Sequence, residues 1–307
     1  MVSSPTTVPG RAPQRGRARG RRGRLGRLVE PTALLAPGLI FYAVLVLVPV
    51  LLVGAYMFAT RGRFGGVEWT FTLDNFGRLF DPLYLDVLQQ SVLIAAAATG
   101  LALLIGYPTA YAISRLPVRW RTVALVLVVV PFWTNFLIRT YAWIVLLNSQ
   151  GLLNDALVGT GLIEERFTLL YTPGAVVVGL TYAYLPLMIL PIYAAVEKVD
   201  HELVEASANL GANRFRTFLS VQLPLTLPGT ITGCILVFVP SLGNFVIPEL
   251  LGGGKTVMVG NLVRDQFLKT QDWPFGAVIA MVVVVLLLLL FGLQAWVTRR
   301  VEGAPRG

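Results

Sequence analysis

The sequence contains one cysteine, Cys234, and one histidine, His201. A lone cysteine permits no internal disulfide and no thiolate cluster for a metal. A lone histidine leaves imidazole-based metal sites and triads without support. Charge is also scarce: Asp, Glu, Lys and Arg together make up 13% of the chain, and only 16 residues are acidic. A membrane enzyme would need an ionisable constellation at one membrane face, and none is visible. No stretch between the apolar runs is long enough for an independent soluble domain, so any catalytic unit belongs to another subunit.

What the chain has instead is apolar length. Of its 307 residues, 55% are hydrophobic, and the mean hydropathy is +0.71. Apolar stretches near 33–59, 87–114, 122–147, 174–196, 229–250 and 276–298 each reach the roughly 20 residues that cross a hydrocarbon core. They predict an all-α membrane protein with six transmembrane helices. The first is too long for a signal-peptide core and lacks a small-residue cleavage site, so it is expected to be retained. Prolines interrupt all but the last: Pro37, Pro49, Pro108, Pro131, Pro186, Pro191, Pro240 and Pro248. Such prolines kink membrane helices where neighbours satisfy the freed carbonyls.

The net charge of +9 is concentrated at one end, with eight arginines between Arg11 and Arg27. This Gly/Pro-rich segment reads as a disordered cytoplasmic tail, residues 1–30, ahead of a membrane domain at 31–307. It argues for an orientation anchor, not a nucleic-acid-binding arm. With the tail inside, the cytoplasmic segments hold 17 basic residues and the outside segments 7, alongside 9 acidic ones. Both termini are therefore expected in the cytoplasm.

That topology makes residues 197–228 the one substantial cytoplasmic loop. It reads Glu205-Ala206-Ser207-Ala208-Asn209-Leu210-Gly211, then nine residues, then Val221-Gln222-Leu223-Pro224. Asp200 is a candidate N-cap, Glu202 sits near the positive end of the helix, and Gly211 can take the left-handed turn that ends it. Ala206, Ser207 and Ala208 leave a low-relief face for close approach by another protein. The spacing resembles the signature loop of ABC-importer permeases, with Ser207 and Val221 as size-conservative departures. The resemblance implies the six-helix type I, MetI-like permease fold and coupling helices that dock on a cytoplasmic ATPase, with Glu205, Ala206, Ser207, Gly211, Leu223 and Pro224 as the coupling residues.

Three further segments narrow the family: Pro131–Tyr141, Leu223–Gly229 and Asp272–Gly276. They are similar to permeases of the spermidine/putrescine (polyamine) branch, from about residue 87 to the C-terminus, with a weaker match through the first helix. The resemblance implies an inner-membrane subunit partnered by an ATPase dimer, a second homologous permease forming a heterodimer, and an external solute-binding protein. It places ATP and its Mg²⁺ on the ATPase and no cofactor on this chain. It leaves open the same type of permease for another solute, such as an iron–chelate, thiamine, phosphonate or opine. An ion-coupled secondary transporter is a further alternative, but no inverted repeat is visible.

A path for a flexible cation needs carboxylates, carbonyls and aromatic faces. Glu249, directly after Pro248, matches an acidic position in the resembling permeases and is the expected cation contact. Trp133, Asn135, Tyr141, Tyr182, Tyr184 and Asn244 are expected to contribute to the lining, with Trp143 among the same polar and aromatic residues. Arg139 would repel a cation, and a structural role beside an acidic neighbour is expected of it. Gly252-Gly253-Gly254-Lys255-Thr256 resembles the end of a phosphate loop, but that motif requires glycine at position 249, where this sequence has glutamate. A flexible outside connection is expected there.

Overall fold

The computed structural model describes residues 23–302. Contacts divide the chain into two units, 1–52 and 53–307. The first contains most of α1 (Gly23–Tyr56), whose described apolar run is Ile40–Tyr56.

The second unit begins with a short antiparallel hairpin, β1 (Thr60–Arg61) and β2 (Val67–Glu68), followed by α2 (Asp74–Arg78). Next come α3 (Pro82–Ser114), α4 (Val118–Trp133), α5 (Phe136–Leu147), α6 (Leu152–Gly159) and α7 (Pro173–Glu197). Two short helices, α8 (His201–Asn209) and α9 (Arg214–Thr217), lead through a π turn (Phe218–Gln222) into α10 (Leu223–Gly243). The unit closes with α11 (Val246–Gly252), α12 (Val259–Leu268) and α13 (Trp273–Glu302). The long helices begin where the sequence supplies caps. Asp81 Oδ1 accepts from Leu83 N at 2.9 Å with Pro82 in the first turn, and Thr172 Oγ1 accepts from Ala175 N ahead of α7. Proline at the first helical position costs no bond.

Among the described residues, four runs are long and apolar enough to span a bilayer: Pro82–Ser114, Pro173–Glu197, Arg214–Gly243 and Trp273–Trp296. A fifth is counted among them if α4 and the chain to Gly159 are one span bent by 92°. The expected helix at 122–147 is thus two helices, broken at Thr134-Asn135. The expected helix at 229–250 starts earlier and breaks at Asn244. The connection at Gly252–Thr256, expected to be flexible, is anchored at its ends, where Gly252 and Thr256 are buried, while Gly253, Gly254 and Lys255 are exposed and Gly253 takes φ +59 beside the Tyr171 ring.

The core is a packed trio of α3, α7 and α10. Ala102, Tyr107 and Ala110 meet Met188, Ile189, Ile192 and Val237 in one buried cluster. Glycines permit the close approach. A Cβ on Gly106 would lie 2.8 Å from Met188 Cγ, one on Gly233 3.0 Å from Met188 Sδ, and one on Gly229 2.7 Å from the Pro191 carbonyl oxygen. Small residues at helix crossings are what membrane bundles use, because lipid tails supply no hydrophobic drive between helices. Thr181 Oγ1 donates to Ala98 O at 3.2 Å and Tyr107 Oη bonds Thr226 at 2.8 Å, pinning the register across the trio. A second cluster joins Leu147, Leu180, Ile247, Leu251 and Met258 at one end of the bundle.

Candidate functional site

The loop between α7 and α10 forms a helix-turn-helix. Asp200 Oδ1 accepts from Glu202 N at 3.0 Å and caps α8. The helix ends at Gly211, φ +82, where Gly211 N donates to Ala208 O and Ala212 N to Ser207 O. This left-handed turn satisfies carbonyls that a helix end otherwise leaves open. Asn213 Oδ1 then accepts from Arg216 N at 2.8 Å and caps α9. Ser207 and Thr217 share a hydrogen bond of 3.1 Å that joins the two limbs. Leu223 and Pro224 open α10. At the tip, Leu210 is 88% exposed and Phe215 71%. Glu205 and Ala206 are also exposed, and Glu205 has no ion-pair partner among the described residues.

The other candidate residues gather around the two helix breaks. Asn135 Oδ1 accepts from Leu137 N at 2.8 Å and Ile138 N at 3.4 Å, so it caps α5 after α4 has ended at Trp133. Asn244 Oδ1 accepts from Ile247 N at 2.9 Å, while its Nδ2 donates to Tyr184 Oη at 2.8 Å. Tyr184 in turn reaches the Pro240 carbonyl at 3.5 Å. A signal for this was present in the sequence and not read: Pro131-Phe-Trp-Thr-Asn135-Phe136 and Pro240-Ser-Leu-Gly-Asn244-Phe245 repeat the pattern Pro, three residues, Asn-Phe. In each copy the helix runs past the proline and stops just before the asparagine, whose side-chain oxygen starts the next segment. Both asparagines thus spend their side-chain oxygens on caps.

Among the described residues Arg139 forms no ion pair with an acidic neighbour, contrary to expectation. Its guanidinium lies 5.8 Å from the Phe132 ring, 5.9 Å from Phe136 and 6.0 Å from Tyr182, and its buried Nε has no partner among the described residues. Tyr182 also meets Trp143 edge-on at 5.4 Å. Trp133 and Tyr141 remain exposed, at 81% and 55%.

Glu249 is not a free carboxylate. Its Oε2 accepts from Arg264 Nη2 at 2.8 Å and Asn261 Nδ2 at 3.1 Å. Arg264 also binds Asp265 at 2.8 Å, and Lys269 bonds the same aspartate at 2.9 Å. Burial would raise the Asp265 carboxyl, but the hydrogen bonds from Lys269 and Arg264 outweigh it and hold the group below its ordinary value. Among the described residues, no three His, Cys, Asp or Glu are grouped as metal ligands would be.

Comparison with known proteins supplies the family. A model of the binding-protein-dependent transport system inner membrane component family matches residues 31–303. The spermidine/putrescine transport system permease protein PotB of Escherichia coli (strain K12) is 43% identical over 80% of this chain and 90% of that one. Its counterpart from Haemophilus influenzae is 44% identical over 84% and 89%. Among solved structures, a bacterial alginate ABC transporter in complex with an alginate pentasaccharide-bound periplasmic protein contains a chain of the same fold. That chain has TM-score 0.68 and 17% identity, covering 91% of this chain and 98% of that one. The capped, exposed helix-turn-helix and the broken apolar helices therefore sit in a chain that belongs to the inner membrane component family of binding-protein-dependent transport systems.

Proposed function

We propose that this chain forms half of the translocation path of an ABC importer for a polyamine, spermidine or putrescine. The observation that carries the solute class is its 43–44% identity, over most of both chains, to permeases named for those two solutes. In this reading both termini face the cytoplasm, and an external binding protein delivers the solute to the side of the helix breaks. A second, homologous permease completes the path. The α8–α9 turn docks on a cytoplasmic ATPase dimer, which holds the ATP. The exposed Leu210 and Phe215 support that role, since apolar side chains projecting from a capped turn suit burial against a partner.

The side-chain geometry narrows the cation contacts. Arg139 already occupies the faces of Phe136 and Tyr182, and Asn135 and Asn244 set the breaks. Trp133 and Tyr141 are the exposed aromatic faces, each worth on the order of 0.5–2 kcal/mol to a cation. The test is uptake of labelled spermidine and putrescine in cells lacking their own polyamine import, with the cognate binding protein, ATPase and second permease supplied. Saturable uptake of either solute that depends on this chain supports the reading; none overturns it.

One observation favours a second reading. An uncompensated guanidinium near the path attracts anions, which suits a solute such as a phosphonate. Labelled phosphonate in the same cells, with its own binding protein, separates the two, since only the second reading expects this chain to support its uptake.

A further inference from the structure

Beneath the α8–α9 turn lies a cavity of about 770 Å³, walled by the end of α3, by α8 and by the π turn. A smaller one of about 140 Å³ adjoins it, sharing Tyr111, Arg115, Val204 and Gln222. The walls are mostly apolar, with Ala208, Ala212, Phe215 and Phe218 among them. The polar groups share one character. Arg115 Nη2 donates to Tyr111 Oη at 2.7 Å, and Gln222 Nε2 donates to the same oxygen at 3.5 Å. Both bonds use the hydroxyl as acceptor, so its O–H remains free to donate. Arg115 keeps its other donors and has no carboxylate partner among the described residues, nor does Arg214 on the facing wall.

In the adjoining space, Arg121 bonds Glu197 at 2.7 Å and the Ser114 carbonyl at 2.9 Å, yet its buried Nε is unpaired among the described residues. Glu197 is the one carboxylate lining either space, and Arg121 engages it. The site thus offers donors and two uncompensated cations beside apolar walls.

We propose that this cavity binds an anionic phospholipid of the cytoplasmic leaflet. The phosphate would sit between Arg115, Arg214 and the Tyr111 hydroxyl, with the upper acyl chain along Ala212 and Phe218. The volume falls in the range of ligand sites. Basic pockets between helices at the cytoplasmic surface select anionic headgroups, and each arginine there contributes about 1 kcal/mol, a factor of about five. Apolar walls favour a lipid over a soluble phosphate. The cytoplasmic placement rests on the proposed orientation, whereas lipid retention is measured independently of the solute. An occupied cavity would brace the turn from behind, making ATPase coupling dependent on lipid.

The experiment uses the full transporter with its ATPase, reconstituted in phosphatidylcholine nanodiscs with or without phosphatidylglycerol. Native mass spectrometry counts retained lipid, and ATP hydrolysis is followed in parallel. Retained phosphatidylglycerol should fall about fivefold for Arg115→Gln and again for Arg214→Gln, with Arg115→Lys keeping most of it. Equal retention in wild type and the double variant overturns the proposal. So does the absence of retained lipid in the complete complex, which would give the cavity to the ATPase. Displacement of the lipid by millimolar inorganic phosphate also overturns it and assigns a soluble anion instead.

Discussion

Arg78 and Asp272 form an ion pair of 2.9 Å in which the aspartate side chain is only 5% exposed. The same carboxylate caps α13 through Phe275 N at 3.3 Å, and the Arg78 guanidinium stacks over the Phe275 ring at 4.0 Å. The Asp272-Trp273-Pro274-Phe275-Gly276 segment, first noticed as a family resemblance, is therefore a joint between α2 and α13. Replacing Asp272 with Ala removes a cap and leaves a half-exposed arginine that water can still reach. Thermal unfolding of the purified complex should show a loss of about 2 kcal/mol, with Asp272→Asn losing less. An unchanged midpoint for Asp272→Ala would remove this joint from the account.

Gly211 tests the proposed docking role of the α8–α9 turn. A Cβ there meets nothing within 4 Å, so a side chain costs only the left-handed backbone, about 1–2 kcal/mol. Gly211→Val should abolish ATP-dependent uptake while the protein still accumulates in the membrane. Gly211→Asn should keep most uptake, because asparagine tolerates this conformation. Normal transport by the valine variant would show that the turn does not couple.

The crossing of α7 and α10 at Gly229 leaves no room for a methyl group. A Cβ there would run into Ala195 Cβ and lie 2.7 Å from the Pro191 carbonyl oxygen, neither of which can swing aside. Gly229→Ala should lower stability by about 1–3 kcal/mol. Gly106→Ala should lower it less, since the atom it meets belongs to the flexible Met188 side chain. Thermal unfolding of the two variants side by side decides the ranking.

The Arg264–Asp265–Lys269 cluster carries a pH dependence with a defined sign. Because the folded Asp265 carboxyl is held below its ordinary value of 3.8, its stabilising effect is complete above that value. It is lost as pH falls through the depressed one. Hydrogen exchange in α12 should be steady at neutral pH and rise in this acid range. Asp265→Asn should be less protected at neutral pH and lack that acid step. An identical acid profile in the variant would assign the step to another group.

Much of the architecture was legible from apolar run length, and the α8–α9 turn was legible from Asp200, Gly211 and their spacing, because capping and left-handed turns are set by local chemistry. The helix breaks were not found. Hydropathy does not register that α4 and α10 stop at Trp133 and Gly243, just ahead of asparagines whose side chains begin the next segment. The pairing of Glu249 with Arg264 was hidden for another reason: the two lie 15 positions apart, joined only because α11 and α12 fold back on each other. The surroundings of Arg139 were hidden too, since the aromatic rings around it come from α4, α5 and α7, and no window of sequence shows all three.

The π turn at Phe218–Gln222 joins α9 to α10 without a loop, so Arg214–Gly243 forms one continuous rod of 30 residues. At 1.5 Å per residue that rod is about 45 Å long. A tilt of ten degrees pivoting at its α9 end would sweep the Asn244 end sideways by about 8 Å. Such a lever needs only a small push where the Ser207–Thr217 bond grips it to shift the distant break by more than the width of an extended polyamine chain.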